Sequence, residues 1–373
     1  MKKLLFLLVC FVCTCLSKAQ NTATKNTALR VGVAGLTHTH VHWLLGREKG
    51  GDIEIVGIAE ADTALAGRFS RQHGFSLDIV YPSLHEMLAK TKPAAVLAFN
   101  DIYGHLEVVK LCAPLGIHVM VEKPLAVSLD HANQMLALAK KHQIHLLTNY
   151  ETTWYGSNEK AFATSNIEKS IGDIRKIVFY TGHAGPKEIG CNEEFLQWLT
   201  DPVLNGGGAI TDFGCYGANL STWLMHGEEP TTVSAITQQI KPQIYPRVDD
   251  DATIVITYKK AQVIIQASWN WPYNRKEMEL YGVSGYVFCR DGKNMLIKNS
   301  TDETAKALIA NELPAERNDP FIYLKNVIDG TIKPGAFDLS SAANNEMVVK
   351  ILEAAKQAAK TGKTVIWKDM YKQ

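Results

Sequence analysis

In the stretch "VMVEKPLAVS", Glu122, Lys123 and Pro124 follow directly on an apolar run. A carboxylate and an ammonium are poor choices for packing at the end of a buried strand, because a charge taken out of water must be paired. They are good choices for gripping hydroxyl groups and polarising an oxygen. A second group stands in "NGGGAITDFGCYGANLSTWL", Asn205 to Leu224, where Asp212 and Tyr216 are four apart and share one helix face. Oxidation of a secondary alcohol needs a base for the hydroxyl proton and an acceptor for the hydride. A phenol with an ordinary pKa near 10 becomes a usable base when a neighbouring ammonium favours the phenolate. Tyr216 fits the base, and Lys123 fits both the ammonium and the group that polarises the carbonyl form. No side chain can take the hydride, so a cofactor must.

The stretch "RVGVAGLTHTHVHW", Arg30 to Trp43, is the place for that cofactor. The dinucleotide fingerprint is G-x-G-x-x-G after a strand. Here Gly35 takes the first slot, Thr37 the second and His40 the third, so one glycine of three is kept. The surroundings carry more weight. Glu60 ends the next strand, 25 residues after Gly35, near the spacing for a carboxylate on the adenosine ribose. No arginine follows at once, which favours NAD over NADP. Leu36, Thr37 and His38 then line a helix N-terminus whose free N–H groups suit a phosphate. Two other readings stay open. His38 and His42 are one helical turn apart and could bind a metal, although His40 would face away and no third ligand stands nearby, so no metal is expected. The stretch could also be a plain helix start.

Alternating elements must position these residues. "LRVGVAG", "IEIVGIAE", "AAVLAF", "GIHVMVEKP" and "IHLLTN" read as buried strands, with helices over about 38–49, 62–73, 104–112 and 129–141 between them. Such alternation predicts a doubly wound parallel sheet, a Rossmann domain over 29–150. From 151 to 373 the rhythm changes to half-polar strands, "DIRKIVFYTGHAG", "TTVSAITQQI", "DATIVITYKK", "AQVIIQASWNW", "KEMELYGVSG" and "YVFCR". They predict an α/β domain on an open, mostly antiparallel sheet. Helices over 209–226 and 342–360 interrupt and close it, and "TVIW" is a final strand. Asp249, Asp250 and Asp251 read as a solvated turn, because consecutive carboxylates in a strand point to opposite faces.

With these motifs in view, the sequence resembles the glucose–fructose oxidoreductase/inositol dehydrogenase (Gfo/Idh/MocA) family. The Glu-Lys-Pro triplet after the fourth strand and the glycine-led helix carry the resemblance, which runs from about Leu29 to the C-terminus. It implies that Lys123 and Tyr216 are catalytic, that Asp212 orients substrate, that Glu122 contacts the nicotinamide ribose, and that Asn100 and His105 line the cofactor cleft. It also implies a sugar or cyclitol substrate and homo-oligomers formed through the C-terminal sheet. Histidine is commoner where Tyr216 stands; tyrosine there resembles the glucose–fructose oxidoreductase and dihydrodiol dehydrogenase branches. His183, at a strand end, is a candidate second acid or base. Tyr150, Trp154 and Trp271 are candidate substrate contacts, with Tyr155 and Trp269 as further aromatics able to stack on a sugar.

Composition narrows the setting. The chain has 373 residues and a net charge of +1, so no broad field draws it to nucleic acid or an anionic membrane. Lys2 and Lys3, the apolar run Leu4 to Cys15 and Ser17-Lys18-Ala19 read as an export signal over 1–19, followed by a linker over 20–28. The run is too short to span a bilayer, and a lipid on Cys15 is a weaker alternative. After removal of the signal, Cys112, Cys191, Cys215 and Cys289 remain, without metal spacing and with their disulfide state open. A periplasmic location leaves little free NAD, so the expectation is a tightly held cofactor. The expected activity is oxidation of a secondary hydroxyl on a sugar, sugar derivative or cyclitol. Two alternatives follow: a redox-neutral glycoside hydrolase, lyase or epimerase that oxidises the sugar transiently, and a non-catalytic carbohydrate binder.

Overall fold

The computed structural model describes residues 28–48 and 50–371. The export signal expected over 1–19, and the linker over 20–28 except Ala28, lie outside these residues. The first half runs β1 (Leu29–Ala34), α1 (Val41–Leu45), β2 (Ile53–Ala59), α2 (Thr63–His73), β3 (Val80–Tyr81), α3 (Leu84–Thr91), β4 (Ala95–Ala98), α4 (His105–Cys112), β5 (His118–Glu122), α5 (Leu129–His142) and β6 (Leu146–Asn149). All six strands are parallel, in the order β3-β2-β1-β4-β5-β6. The order reverses at β1 and β4, so a crevice opens beyond their carboxyl ends, where Gly35 and Asn100 stand. Both strands are apolar because helices cover both faces; β4 is buried at every position. Asp62, Ser83 and Ser128 cap α2, α3 and α5 with their side-chain oxygens.

Two elements of this half are not visible in the pattern, the two-residue β3 and α3. One expected helix is much shorter than 38–49: α1 begins at Val41 and ends at Leu45. Leu36 to His40 form a loop instead, because His38 donates its N–H to Phe99 O at 2.8 Å and is thereby held to the next strand's exit.

The second half contains α6 (Gly156–Phe162), β7 (Ile174–Gly182), α7 (Glu193–Leu199), α8 (Ala209–Asp212), α9 (Gly214–Leu224), β8 (Thr232–Gln238), β9 (Asp251–Thr257), β10 (Gln262–Ser268), β11 (Arg275–Gly282), β12 (Tyr286–Cys289), β13 (Asn294–Lys298), β14 (Lys306–Ile309), α10 (Pro320–Ile328), α11 (Ala342–Thr361), β15 (Val365–Ile366) and α12 (Trp367–Met370). The strands form one sheet, β14-β13-β12-β11-β7-β10-β9-β8-β15, antiparallel except where β7 meets β10. Alternate residues of β9 and β10 are buried, so one face carries α8, α9 and α11 while the other is open. The glycine-led helix is broken in two at Phe213. The chain after residue 310 also touches the first lobe before it returns to this sheet at β15: Phe321, Leu324 and Val327 of α10 are buried in the core beside β1, and Val349 of α11 joins the core of α4 and α5.

Candidate active site

Gly35 has φ of +78°, which favours glycine, and a Cβ there would lie 3.0 Å from the Asn100 Cα. The kept glycine of the fingerprint is therefore the one on which the β1 and β4 loops meet. Leu36 N–H donates to Glu60 Oε2 at 3.0 Å and Asp62 N–H donates to Oε1 at 2.9 Å. Glu60 thus ties the loop to β2, and burial raises its pKa despite these bonds. It also lines a cleft of about 390 Å³ with Gly35, Thr37, Asn100 and Asp101. Asn100 Oδ1 is buried with no hydrogen-bond partner.

The three histidines do not pair as expected. His42 turns away and meets His73 Nε2 at 2.8 Å. His38 and His40 instead converge with Glu122, their ligating atoms lying within 4.8 Å of one another. This is the only group of three or more such side chains arranged to hold a metal among the described residues. The hydrogen bonds oppose that use. His38 Nδ1 accepts the His40 N–H at 3.1 Å, so a neutral ring carries its proton on Nε2, the nitrogen 3.9 Å from Glu122 Oε2. Burial keeps His38 neutral by lowering its pKa well below the ordinary value. His40 Nδ1 lies 2.9 Å from Glu122 Oε2, and Asn149 Nδ2 donates to Oε1 at 2.8 Å. Burial opposes the Glu122 charge, yet His40, His38 and Asn149 together hold its pKa down at about 2. Each Glu122 oxygen thus has one partner inside the protein.

Across the interlobe boundary, Lys123 donates to Asp212 Oδ1 at 2.5 Å and to Asp212 O at 3.0 Å. Trp269 Nε1 donates to the other carboxylate oxygen at 2.9 Å. Burial penalises both charges, but each stabilises the other: Lys123 is held above and Asp212 below its ordinary pKa. The glycine triplet delivers Asp212 to this point. Asp249 accepts the N–H groups of Gly208 and Ile210 at 2.9 and 2.7 Å and so anchors the start of α8, while Gly206 and Gly207 take positive φ. The expected solvated turn is thus corrected. Asp250 is fully buried and accepts the N–H groups of Ile240 and Lys241, because both carboxylates serve as backbone caps.

Tyr216 lies beside the pair, with Lys123 Nζ 5.1 Å from its ring centroid. The ammonium does not make it a phenolate. Burial first, and the nearby Glu151 carboxylate second, push the phenol well above its ordinary pKa, and the Lys123 charge is spent on Asp212. His183 is in the same cluster. Its Nδ1 accepts the Gly185 N–H at 2.9 Å, and burial lowers its pKa to about 4. His105 is also neutral, at about 4 by burial; its Nδ1 contacts Leu125 O at 3.1 Å and its Nε2 is buried without a partner. Tyr150 is fully buried, edge-on to Tyr216 at 5.5 Å.

The other aromatic candidates have structural partners. Trp154 donates to Asn149 Oδ1 at 2.9 Å, Trp271 lies under the Arg275 guanidinium at 4.5 Å, and Tyr155 donates to Glu151 at 2.5 Å. Sequence reasoning missed Trp269 as an Asp212 partner, and it missed Glu151 and Lys276 altogether. Lys276 Nζ is 2.7 Å from Glu151 Oε2 and 5.5 Å from the Tyr216 ring centroid. A lysine opening a strand and a glutamate after β6 give no linear signal.

Residues 29–150 match the family model described as an oxidoreductase family with an NAD-binding Rossmann fold, and residues 167–288 match that of the GFO/IDH/MocA C-terminal domain. The chain belongs to the Gfo/Idh/MocA family. Among curated relatives, a trans-1,2-dihydrobenzene-1,2-diol dehydrogenase of Xenopus tropicalis is 27% identical over 220 residues, 58% of this chain and 61% of the relative. The match thus spans about three fifths of that relative's length. The fold is shared with an aldose-aldose oxidoreductase from Caulobacter crescentus, solved with glycerol (TM-score 0.76, 19% identity, 91% of this chain and 99% of that one). It is shared also with an inositol dehydrogenase homologue from Azotobacter vinelandii, solved with NAD+ (TM-score 0.77, 18% identity, 91% and 98%).

Within this Gfo/Idh/MocA frame, the crevice residues fit a dinucleotide. Asn100 presents an unpartnered oxygen beside the Gly35 loop, and Glu60 brings a carboxylate to the same cleft. The loop has one unusual cover. Phe195 meets His38 edge-on at 5.1 Å and Trp198 lies tilted against it at 5.6 Å between ring centroids, and Glu194 of the same helix is 2.5 Å from Arg68 of α2. No helix among the described residues is long and apolar enough to cross a membrane.

Proposed function

We propose that this protein is an NAD-dependent oxidoreductase that acts on a secondary hydroxyl of a sugar, sugar derivative or cyclitol. The observation that carries the reading is the buried Lys123–Asp212 pair, which joins the exit of β5 to the glycine-led helix beside Tyr216. NAD, when bound, supplies the hydride acceptor. Gly35, Thr37, Asn100 and Glu60 would hold its adenosine and phosphate half, and a carboxylate at Glu60 suits a free ribose better than a 2′-phosphate.

The rest is done by the chain's own residues. Lys123 is an ammonium and holds negative charge that develops on the substrate oxygen. Asp212, oriented by Trp269, accepts the hydroxyl proton. Tyr216 is a phenol and so a donor; its O–H hydrogen-bonds the reacting oxygen, and Asp212 returns the proton when a carbonyl is reduced. This modifies the expected phenolate role, since Tyr216 cannot accept a proton it already has. Preorganised charge of this kind is worth most where water is excluded, and Lys123 and Asp212 are 6% and 4% exposed.

The same centre supports a redox-neutral variant, a hydrolase, lyase or epimerase that oxidises the sugar transiently, because α7 covers the loop and favours a cofactor kept in place. Export to the periplasm, with the cofactor retained, and association through the open face of the C-terminal sheet complete the proposal. Purified protein is denatured and its supernatant assayed for NAD(H), then native protein is offered single sugars and glycosides. Released NAD(H) together with net reduction by one sugar supports the oxidoreductase. Glycoside cleavage with no net change in cofactor supports the redox-neutral variant. Neither NAD(H) nor NAD+ binding leaves only a carbohydrate binder. Fractionation of the native host tests export, and light scattering of a variant charged on the open sheet face tests association.

A further inference from the structure

Two ammonium–carboxylate pairs flank Tyr216, and the reaction uses one of them. The Lys123–Asp212 side chains are 7% and 5% exposed, whereas the Lys276–Glu151 side chains are 20% and 31% exposed. Lys276 pairs across the sheet with Thr181 and shares its face of β11 with Met278 and Leu280, which are buried in the core that contains Tyr216. Its ammonium therefore points inward, toward the catalytic helix. Glu151 follows β6 at the end of the Rossmann lobe and is held by the Tyr155 hydroxyl. The second pair thus faces the same phenol ring as the first, from the side that water reaches.

A hydroxyl both donates and accepts a hydrogen bond. An ammonium beside a carboxylate matches it completely, and one such pair serves one hydroxyl. We propose that Lys276 and Glu151 form a specificity site that binds a second hydroxyl, on the carbon next to the one oxidised. This rests on the reading of Lys123–Asp212 as the reaction centre. The Lys276 ammonium donates to the neighbouring substrate oxygen, whose proton turns to Glu151. A substrate lacking that hydroxyl displaces water from the pair and returns no hydrogen bond to it.

The test is ligand-observed NMR titration with trans-1,2-cyclohexanediol and cyclohexanol, on wild type, Lys276→Met, Glu151→Gln and Lys276→Arg. Wild type is expected to bind the diol at least tenfold more tightly than the monol. Lys276→Met and Glu151→Gln are expected to bring the ratio within twofold, through the diol alone, with cyclohexanol affinity and cofactor content unchanged; Lys276→Arg restores part of the ratio. No diol preference in wild type, a preference that survives in Lys276→Met, or equal weakening of both probes would each overturn the assignment. Protein that carries NAD and oxidises alcohols without diol preference fails this inference alone. Protein without NAD that keeps the preference fails the reading of the reaction alone.

Discussion

Replacing Asp212 by asparagine keeps the shape of the side chain and removes its charge. In the native protein that charge lies 2.5 Å from Lys123 Nζ, with both side chains almost wholly buried. Asparagine leaves an ammonium in the interior without a counter-ion, and breaking a buried pair from one side costs about 3–5 kcal/mol. Against a total stability of about 5–15 kcal/mol, that is a large fraction. The pH dependence gives the sharper signature. In wild type, Lys123 is raised above its unfolded value, so its contribution is complete below about pH 10 and is lost as pH rises through the folded value. Asp212 is depressed, so its contribution is present above about pH 4 and is lost as pH falls through the folded value. Between these limits wild type gains nothing from the pair by a change in pH. In Asp212→Asn the buried lysine is driven to lose its proton on folding, so stability rises with pH from neutrality toward pH 10. Urea denaturation followed by tryptophan fluorescence at several pH values measures both effects. The double variant Lys123→Met/Asp212→Asn is expected to recover at least half of the loss. An Asp212→Asn protein as stable as wild type, with a flat profile across this range, would refute the account of the pair.

Tyr216→Phe removes a donor that acts on the reacting oxygen and is expected to lower turnover about 10²–10³-fold with little change in NAD affinity, measured by steady-state kinetics and equilibrium dialysis; near-normal turnover would remove the phenol from the mechanism. Glu60→Ala should weaken NAD more than substrate and also loosen the Leu36 loop, seen as faster amide exchange at Leu36 and Asp62; equal weakening of both ligands would place the adenosine pocket elsewhere. Phe195→Ala with Trp198→Ala uncovers His38 and should speed release of bound NAD(H) at least tenfold in a stopped-flow chase, with unchanged release as the contrary result.

The linear pattern announced the parts whose physics is local. The apolar runs of β1, β4 and β5 could only be buried strands, and Glu122-Lys123 at the end of one of them had no structural excuse. The glycine triplet before Asp212 likewise marked a turn that few other residues allow. What stayed hidden depends on partners distant in sequence. The phenol of Tyr216 is fully buried and has Glu151, Asp212 and Glu122 near it as well as Lys123, so burial first and these carboxylates second move its proton affinity opposite to the expectation drawn from one lysine. His40 reaches Glu122 across 82 residues, which no helical spacing of His38 and His42 could suggest. The Trp154 bond to Asn149 and the Arg275 guanidinium over Trp271 are likewise contacts that the linear pattern does not show. Asp250 was assigned to solvent by the alternation rule, yet a loop that needed two backbone acceptors folded over it.

The short helix α7 has a consequence for traffic. Its two indole and phenyl rings rest on the loop where a phosphate would sit, and its acidic residue is latched to a helix of the opposite lobe. Under the proposed function, a phosphate group seated against this loop would be freed when those rings move off the imidazole. The proposed retention of a cofactor has its physical basis in this contact: a cofactor held beneath α7 would have to be restored in place rather than exchanged.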